Sequence, residues 1–277
     1  MVNEYAAEQR VAMDLARIAS QAILEVYTTR FDVRYKGPGD PVTDADLRAQ
    51  DIIVSGLSRE FPDDGIVSEE RPVSEEARRR PRVWYVDTLD GTGEFVARSG
   101  EFSVIIGSLE QGLPKLGVIY HPVDDVLYVG IRDESAWIIR GGERRRTWVL
   151  AAAPPHSLRL AVSRSHRDPV IDRIEANLSN VQEIPCGSVG VKIGLLLSGQ
   201  ADAYVEPSPY TSKWDVCGAE AILRGAGGFM SDMAGGPMRY EEPDLKNRRG
   251  FVATNHACHG DVLAAIPMSV LERKQPN

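Results

Sequence analysis

No stretch of this 277-residue chain approaches the roughly 18–20 consecutive apolar residues that a bilayer-spanning helix needs. Its first ten residues carry Glu4 and Glu8 and no apolar h-region, which argues against a secretory signal and makes a cytoplasmic location the default expectation. Basic charge is also short, since 32 Lys and Arg stand against 40 Asp and Glu for a net charge of −8. Broad binding to a nucleic-acid polymer needs a basic surface and is not expected. A small anionic ligand remains open, because a bound metal reverses the local field. Cysteine is scarce: Cys186, Cys217 and Cys258 form no C-x-x-C pair, and three cannot pair off completely. Buried, reduced thiols follow. His121, His156, His166, His256 and His259 form no H-E-x-x-H pattern, so zinc is not expected and any metal site should be rich in oxygen. Internal repeats and low-complexity segments are absent as well.

What is present reads as an α+β chain in two halves, 1–153 and 154–277. Ala6, Val11, Leu15, Ile18, Ala22 and Val26 recur at helical spacing through 5–27. Lys36-Gly37-Pro38-Gly39-Asp40-Pro41 reads as a mobile loop. Thr43 with Asp46 three residues on marks the start of a second helix running to about Phe61. Arg82–Asp87 is a strand candidate, followed by 102–109, 115–120, 126–131 and 136–139, which together suggest an antiparallel sheet. Glu143–Arg146 reads as a charged turn, and 151–155 as the junction between halves. In the second half, strands at 158–163, 203–205, 229–232 and 250–253 alternate with helices at 168–179, 188–198, 215–225 and 260–265, an α/β pattern. The site is expected where the halves meet.

The most informative run is Asp87-Thr88-Leu89-Asp90-Gly91-Thr92. Two carboxylates three apart end a strand, with a glycine turn and a hydroxyl after them. Such a turn can direct both carboxylates and a backbone carbonyl at one spot, the hard oxygen set that Mg²⁺ prefers. Alone, an acid-rich turn is more often structural. Ser68-Glu69-Glu70 alone reads as a solvated pair, Asp215 as a helix N-cap, and Asp46 as a first-turn acid complementing the helix dipole.

Together, P-V-T-x-x-D, S-E-E, D-x-L-D-G-T-x-E-F and the later W-D, in this order over nearly the whole chain, resemble the lithium-sensitive, magnesium-dependent phosphatases of the inositol monophosphatase superfamily. The resemblance implies a layered α-β-α-β-α sandwich of the sugar-phosphatase type. It makes Glu69, Asp87 and Asp90 metal ligands together with Asp215 and the Leu89 carbonyl, for two or three Mg²⁺. Asp46 and Thr92 share activation of the attacking water, and Lys36 sits in a loop that closes over the site. Thr88 departs from the proline usual in the family, at a position that supplies no ligand. The family often forms homodimers, though no segment here identifies an interface.

Substrate choice is read from the second half. Ser163-Arg164-Ser165-His166 and the Gly187-Ser188 turn with Lys192 resemble the 3'(2'),5'-bisphosphate nucleotidase branch. Taken singly, His166 reads as a surface or capping histidine and Lys192 as a solvated helix face. In that branch the residues matching Ser163, His166, Ser188 and Lys192 contact the nucleotide, and Gly91, Thr92 and Asp215 complete the expected substrate-binding set. A second phosphate needs a cation and hydroxyl or amide donors, which a Gly/Ser turn opening a helix supplies. The implied reaction is removal of the 3'-phosphate of 3'-phosphoadenosine 5'-phosphate, a by-product of sulfate assimilation. Two rivals stand beside it. One keeps the metal set and changes the substrate: inositol monophosphatase, inositol polyphosphate 1-phosphatase or fructose-1,6-bisphosphatase activity. The other is a metal-binding protein without catalysis.

Overall fold

The computed structural model describes residues 4–149 and 157–272. The chain opens with α1 (Ala6–Tyr27), a hairpin of β1 (Arg34–Gly37) and β2 (Asp40–Val42), and α2 (Asp44–Glu60). Then come β3 (Gly65–Ser68), α3 (Glu75–Arg78), β4 (Arg82–Asp90) and the short α4 (Thr92–Val96). Five strands follow: β5 (Ser103–Glu110), β6 (Leu113–His121), β7 (Val126–Ile131), β8 (Ser135–Arg140) and β9 (Glu143–Thr147). The second half runs β10 (Leu158–Ser163), α5 (Val170–Asn177), β11 (Val181–Cys186), α6 (Val189–Leu197), β12 (Ala203–Glu206) and α7 (Lys213–Gly225). It ends with β13 (Phe229–Asp232), β14 (Phe251–Thr254), α8 (His259–Ala264) and α9 (Met268–Glu272).

These elements stack in five layers. The α1–α2 pair covers one face of a seven-stranded sheet ordered β3-β4-β5-β6-β7-β8-β9. Its ladder is antiparallel apart from the parallel β3–β4 pair. On the other face lie α6 and α7, shared with a five-stranded sheet ordered β11-β10-β12-β14-β13. That sheet is parallel over β11-β10-β12 and antiparallel over β12-β14-β13. α5 and α8 close its far side. The order follows from burial, because each sheet has apolar residues on both faces and needs two covers. In α2, Ala45, Ala49, Ile53 and Leu57 recur every four residues and are fully buried. Burying Ile53 or Leu57 is worth roughly 1.5–3 kcal/mol each.

α7 reaches the first sheet through glycine. A Cβ on Gly107 of β5 would sit 2.3 Å from the Gly218 nitrogen, and one on Gly117 of β6 would sit 2.0 Å from the Gly218 carbonyl oxygen. The helix backbone therefore rests directly on the strands. One turn earlier, this contact sets Asp215 beside the end of β4.

Several expectations need correction. The Lys36–Pro41 stretch is a β-hairpin turning at Pro38-Gly39. Glu143–Arg146 is an edge strand and not a turn. Its guanidinium groups lie over tryptophans: Arg144 is 4.3 Å from the Trp137 ring centroid and Arg146 is 4.2 Å from that of Trp148. Charged side chains of this kind blunt a sheet edge. β11, with the sequence Val-Gln-Glu-Ile-Pro-Cys, was not anticipated. The junction expected at 151–155 lies outside the described residues. Among the described residues, no helix is long and apolar enough to cross a membrane.

Candidate active site

The site grows from the end of β4. Pairing with β5 shifts register between Asp87 and Asp90, and Gly91 turns the chain with a φ of +90°. A side chain at Gly91 would be strained by that φ, and its Cβ would lie 3.2 Å from the Cβ of Ser188. The irregularity aims successive residues of one short run at different partners. The Leu89 amide donates to Asp87 Oδ1 at 3.1 Å, while the Leu89 carbonyl faces the Thr92 hydroxyl at 3.0 Å.

Asp46 reaches this turn from α2. Its Oδ2 accepts from the Thr43 amide and hydroxyl, both at 2.7 Å, so Thr43 and Asp46 close the capping box expected from the sequence. Its Oδ1 lies 3.0 Å from the Thr92 hydroxyl. That hydroxyl has one proton and two acceptors, Asp46 and the Leu89 carbonyl. Burial raises the Asp46 carboxyl above its ordinary pKa, against the hydrogen bonds from Thr43 and Thr92.

Asp215, read from the sequence as an N-cap, is instead the third residue of α7 and stands in the same local device, with Ser212 as the cap. Its carboxylate accepts from the Ser212 amide in a second capping box. Here the acid also faces other acids. Burial pushes Asp215 up to about 7, with the Asp90 and Glu69 charges adding to the effect and hydrogen bonds from Asp87 and Ser212 opposing it. Asp87 is raised well above the carboxylate range by burial and by the charges of Glu69, Asp215 and Asp90. Glu69 and Glu70, at the end of β3, each accept from the Lys36 ammonium at 2.7 Å. Burial works against that ammonium, but the two glutamates overcome it and raise its pKa.

Asp90 is occupied differently. Its Oδ1 accepts from the Val189 amide at 3.0 Å and its Oδ2 from the Gly190 amide at 2.7 Å, with the Ser103 and Ser188 hydroxyls also donating. The carboxylate thus sits on the N-terminus of α6, where free amides and the helix dipole favour negative charge. With Glu69 turned to Lys36 and Asp90 to α6, no three of these acids gather about one point among the described residues. Their chemistry still fits a hard cation. Asp87 and Asp215 are buried side by side, both resist ionisation, and the Leu89 carbonyl lies on the same turn.

A cavity of about 430 Å³ joins this acidic end to the second half of the chain. Glu69, Asp87, Leu89, Asp90, Gly91, Thr92 and Asp215 line it, as do Ser163, His166, Ser188 and Lys192. Asp46 lies behind Thr92 and off the wall. Ser188 caps α6, its hydroxyl accepting from the Val191 amide at 3.1 Å. Lys192 is 3% exposed, not on a solvated face. Its ammonium donates to the Ser188 carbonyl at 2.9 Å and lies 4.9 Å from the Tyr204 ring centroid. The Ser163 hydroxyl accepts from the His166 amide at 3.2 Å.

The sequence reading missed the acids that hold this wall in place. Glu101 accepts from Arg164 Nε at 3.0 Å, from its terminal nitrogen at 2.6 Å, and from the Gly187 amide at 2.7 Å. Glu94 accepts from the Ser165 and Ser99 hydroxyls. Glu94 was visible in its motif as a branch marker only, and Glu101 had no motif at all. Both tie the Ser163–His166 loop, in the second half, to the first.

A family model described as the inositol monophosphatase family matches residues 5–270. The 3'(2'),5'-bisphosphate nucleotidase CysQ of Escherichia coli strain K12 is 39% identical over 240 residues, covering 86% of this chain and 95% of that protein. An inositol-1-monophosphatase of Mesorhizobium japonicum is 32% identical over 266 residues, covering 93% of each. Among solved structures, CysQ from Bacteroides thetaiotaomicron superposes with a TM-score of 0.79 at 32% identity, covering 91% of this chain and 98% of that one.

Proposed function

The chain belongs to the inositol monophosphatase family, and from that premise we propose that it is a magnesium-dependent phosphatase removing the 3'-phosphate of 3'-phosphoadenosine 5'-phosphate. The products are AMP and phosphate. One observation carries the reading: a single cavity joins the acidic end at Asp87 and Asp215 to a wall bearing Ser163, Ser188 and Lys192. The first end suits metals and the scissile phosphate, the second a further anionic group. The likeness to E. coli CysQ supports the nucleotide as substrate.

In this reading Glu69, Asp87, Asp90, Asp215 and the Leu89 carbonyl hold two or three Mg²⁺. Held there, magnesium would supply neutralisation of the phosphate charge, a more acidic water and stabilisation of the leaving oxygen. Glu69 must give up Lys36 to take part, and Asp90 must share its oxygens with α6. The Thr92 hydroxyl passes the water's proton to Asp46, whose orientation its bonds to Thr43 fix. A carboxylate so placed is a general base within hydrogen-bond reach of its relay. Attack is direct and in line. The water oxygen bonds to phosphorus as the bond to the 3'-oxygen breaks; the leaving oxygen takes a proton from solvent water, and Asp46 later returns to solvent the one it accepted. Lys192 and the α6 turn orient the far end of the substrate. Lithium inhibition, a cytoplasmic location and a role in sulfate assimilation go with this reading.

The likeness to the M. japonicum protein favours inositol 1-phosphate as the second reading. Phosphate release with Mg²⁺ from 3'-phosphoadenosine 5'-phosphate, inositol 1-phosphate, inositol 1,4-bisphosphate and fructose 1,6-bisphosphate separates the two. The highest kcat/KM is expected on the nucleotide. A higher value on any of the others would keep the metal chemistry and remove the nucleotidase assignment.

A further inference from the structure

We infer that Tyr210, with His166 at its side, is a stacking platform for the planar base of the substrate, so that the site reads a nucleobase as well as two phosphates. This rests on the nucleotidase reading and extends it to a part of the ligand that the metal and phosphate residues do not touch. Tyr210 is 68% exposed although both it and His166 line the cavity of the acidic site. Their ring centroids are 5.3 Å apart, with the planes tilted by 36°.

The exposed ring sits on a fixed backbone. Pro207 and Pro209 flank Ser208, a buried residue whose amide and hydroxyl both donate to Glu206. On the other side the Asn247 amide donates to the Thr211 carbonyl at 2.9 Å, and the Lys246 ammonium to the Tyr210 carbonyl at 3.3 Å. The His166 segment is held as firmly, through Arg164 on Glu101 and Ser165 on Glu94. Apart from the His166 contact, the Tyr210 ring gains little from packing against the protein. Its open face is suited to a flat π-system, and a rigid aromatic gives contact area at little entropic cost. A base sandwiched between the two rings would need them about 7 Å apart, twice the contact distance of about 3.5 Å between carbon atoms. The observed 5.3 Å instead puts the base on one face of Tyr210, with His166 along its edge.

AMP and ribose 5-phosphate differ only by the base, so their competitive inhibition constants isolate it. They are measured against turnover of whichever panel substrate the enzyme hydrolyses best, which makes the test independent of the panel's outcome. The unsubstituted enzyme should bind AMP roughly tenfold more tightly than ribose 5-phosphate, within the range of one base on one aromatic face. Tyr210→Ala should bring that ratio close to one by weakening AMP alone, and Tyr210→Phe should preserve it. A ratio near one in the unsubstituted enzyme, or a ratio that survives Tyr210→Ala, would overturn the platform. Loss of both inhibitors together in Tyr210→Ala would also overturn it, since that marks a collapsed loop and not a lost stack. The nucleotidase assignment fails separately, on the substrate panel.

Discussion

The helices α2 and α7 begin in the same way and end up with different chemistry. Each opens on a hydroxyl residue with an aspartate three positions on, Thr43 with Asp46 and Ser212 with Asp215, and each pair closes a capping box. Asp46 is surrounded by donors, from Thr43 and Thr92. Asp215 is surrounded by acids, from Asp87, Asp90 and Glu69. Under the function proposed above, one capping motif serves as a proton acceptor in the first place and as a cation ligand in the second. The difference lies in what the sheet brings alongside: the Thr92 turn faces α2, and the buried end of β4 faces α7.

Charge removal should separate the pair most strongly. Asp215→Asn keeps an oxygen for the Ser212 amide and loses the charge. Its kcat/KM should fall by three orders of magnitude or more, on the order expected when a metal is no longer held. Its melting temperature in excess chelator should be no lower than that of the unsubstituted protein, because one of several crowded acids has been neutralised. A clear drop in that temperature would assign Asp215 to the fold instead of to the metal.

Asp46→Asn should lose less, about 10²-fold in kcat, the lower end of the usual worth of a general base. The magnesium concentration for half-maximal rate should stay where it was. A shift in that concentration would turn Asp46 from a base into a ligand. Next in size is Lys192→Met, which keeps the volume of the side chain. It should raise KM for 3'-phosphoadenosine 5'-phosphate by about tenfold, the worth of one charge-assisted contact of about 1.4 kcal/mol. Its KM for inositol 1-phosphate should hold. Equal effects on both substrates would mean that Lys192 supports the Ser188 turn and reads no second phosphate.

The smallest effects belong to the caps themselves. Thr43→Ala and Ser212→Ala each remove the side-chain half of a box, worth about 1 kcal/mol. In a chain of this size that lowers the melting temperature by about 2–4 °C. Similar shifts would confirm that the two devices are alike as caps. Thr43→Ala should also slow turnover, because Asp46 loses a bond that orients it.

Local signals in the sequence were enough to find the Thr43–Asp46 box, since a hydroxyl and an acid three apart act through their own backbone; the Ser212–Asp215 box has the same spacing but was missed, because Asp215 itself reads as the cap. The strand-end acids Asp87 and Asp90 were legible for the same reason, as was the helix over 5–27. Other features depended on distant parts of the chain. Glu143–Arg146 pairs as a strand because β8 offers an edge and two tryptophans offer their faces, neither of which its own composition reveals. β11 has no clean alternation and carries Pro185, and it is fixed by β10 beside it. Glu101 matters because Arg164 and Gly187 meet it across 63 and 86 positions. The partners of Asp90 on α6 lie about as far off, at 99 and 100 positions. Resemblance named Asp90 as a ligand, but only the folded chain places it on a helix terminus as well.

Calorimetric titration of Mg²⁺ into Asp46→Asn and Asp215→Asn, side by side with the unsubstituted protein, tests the division of labour most directly. Asp46→Asn should bind magnesium as the unsubstituted protein does, and Asp215→Asn should bind it at least tenfold more weakly. Equal binding by the two variants would contradict the account.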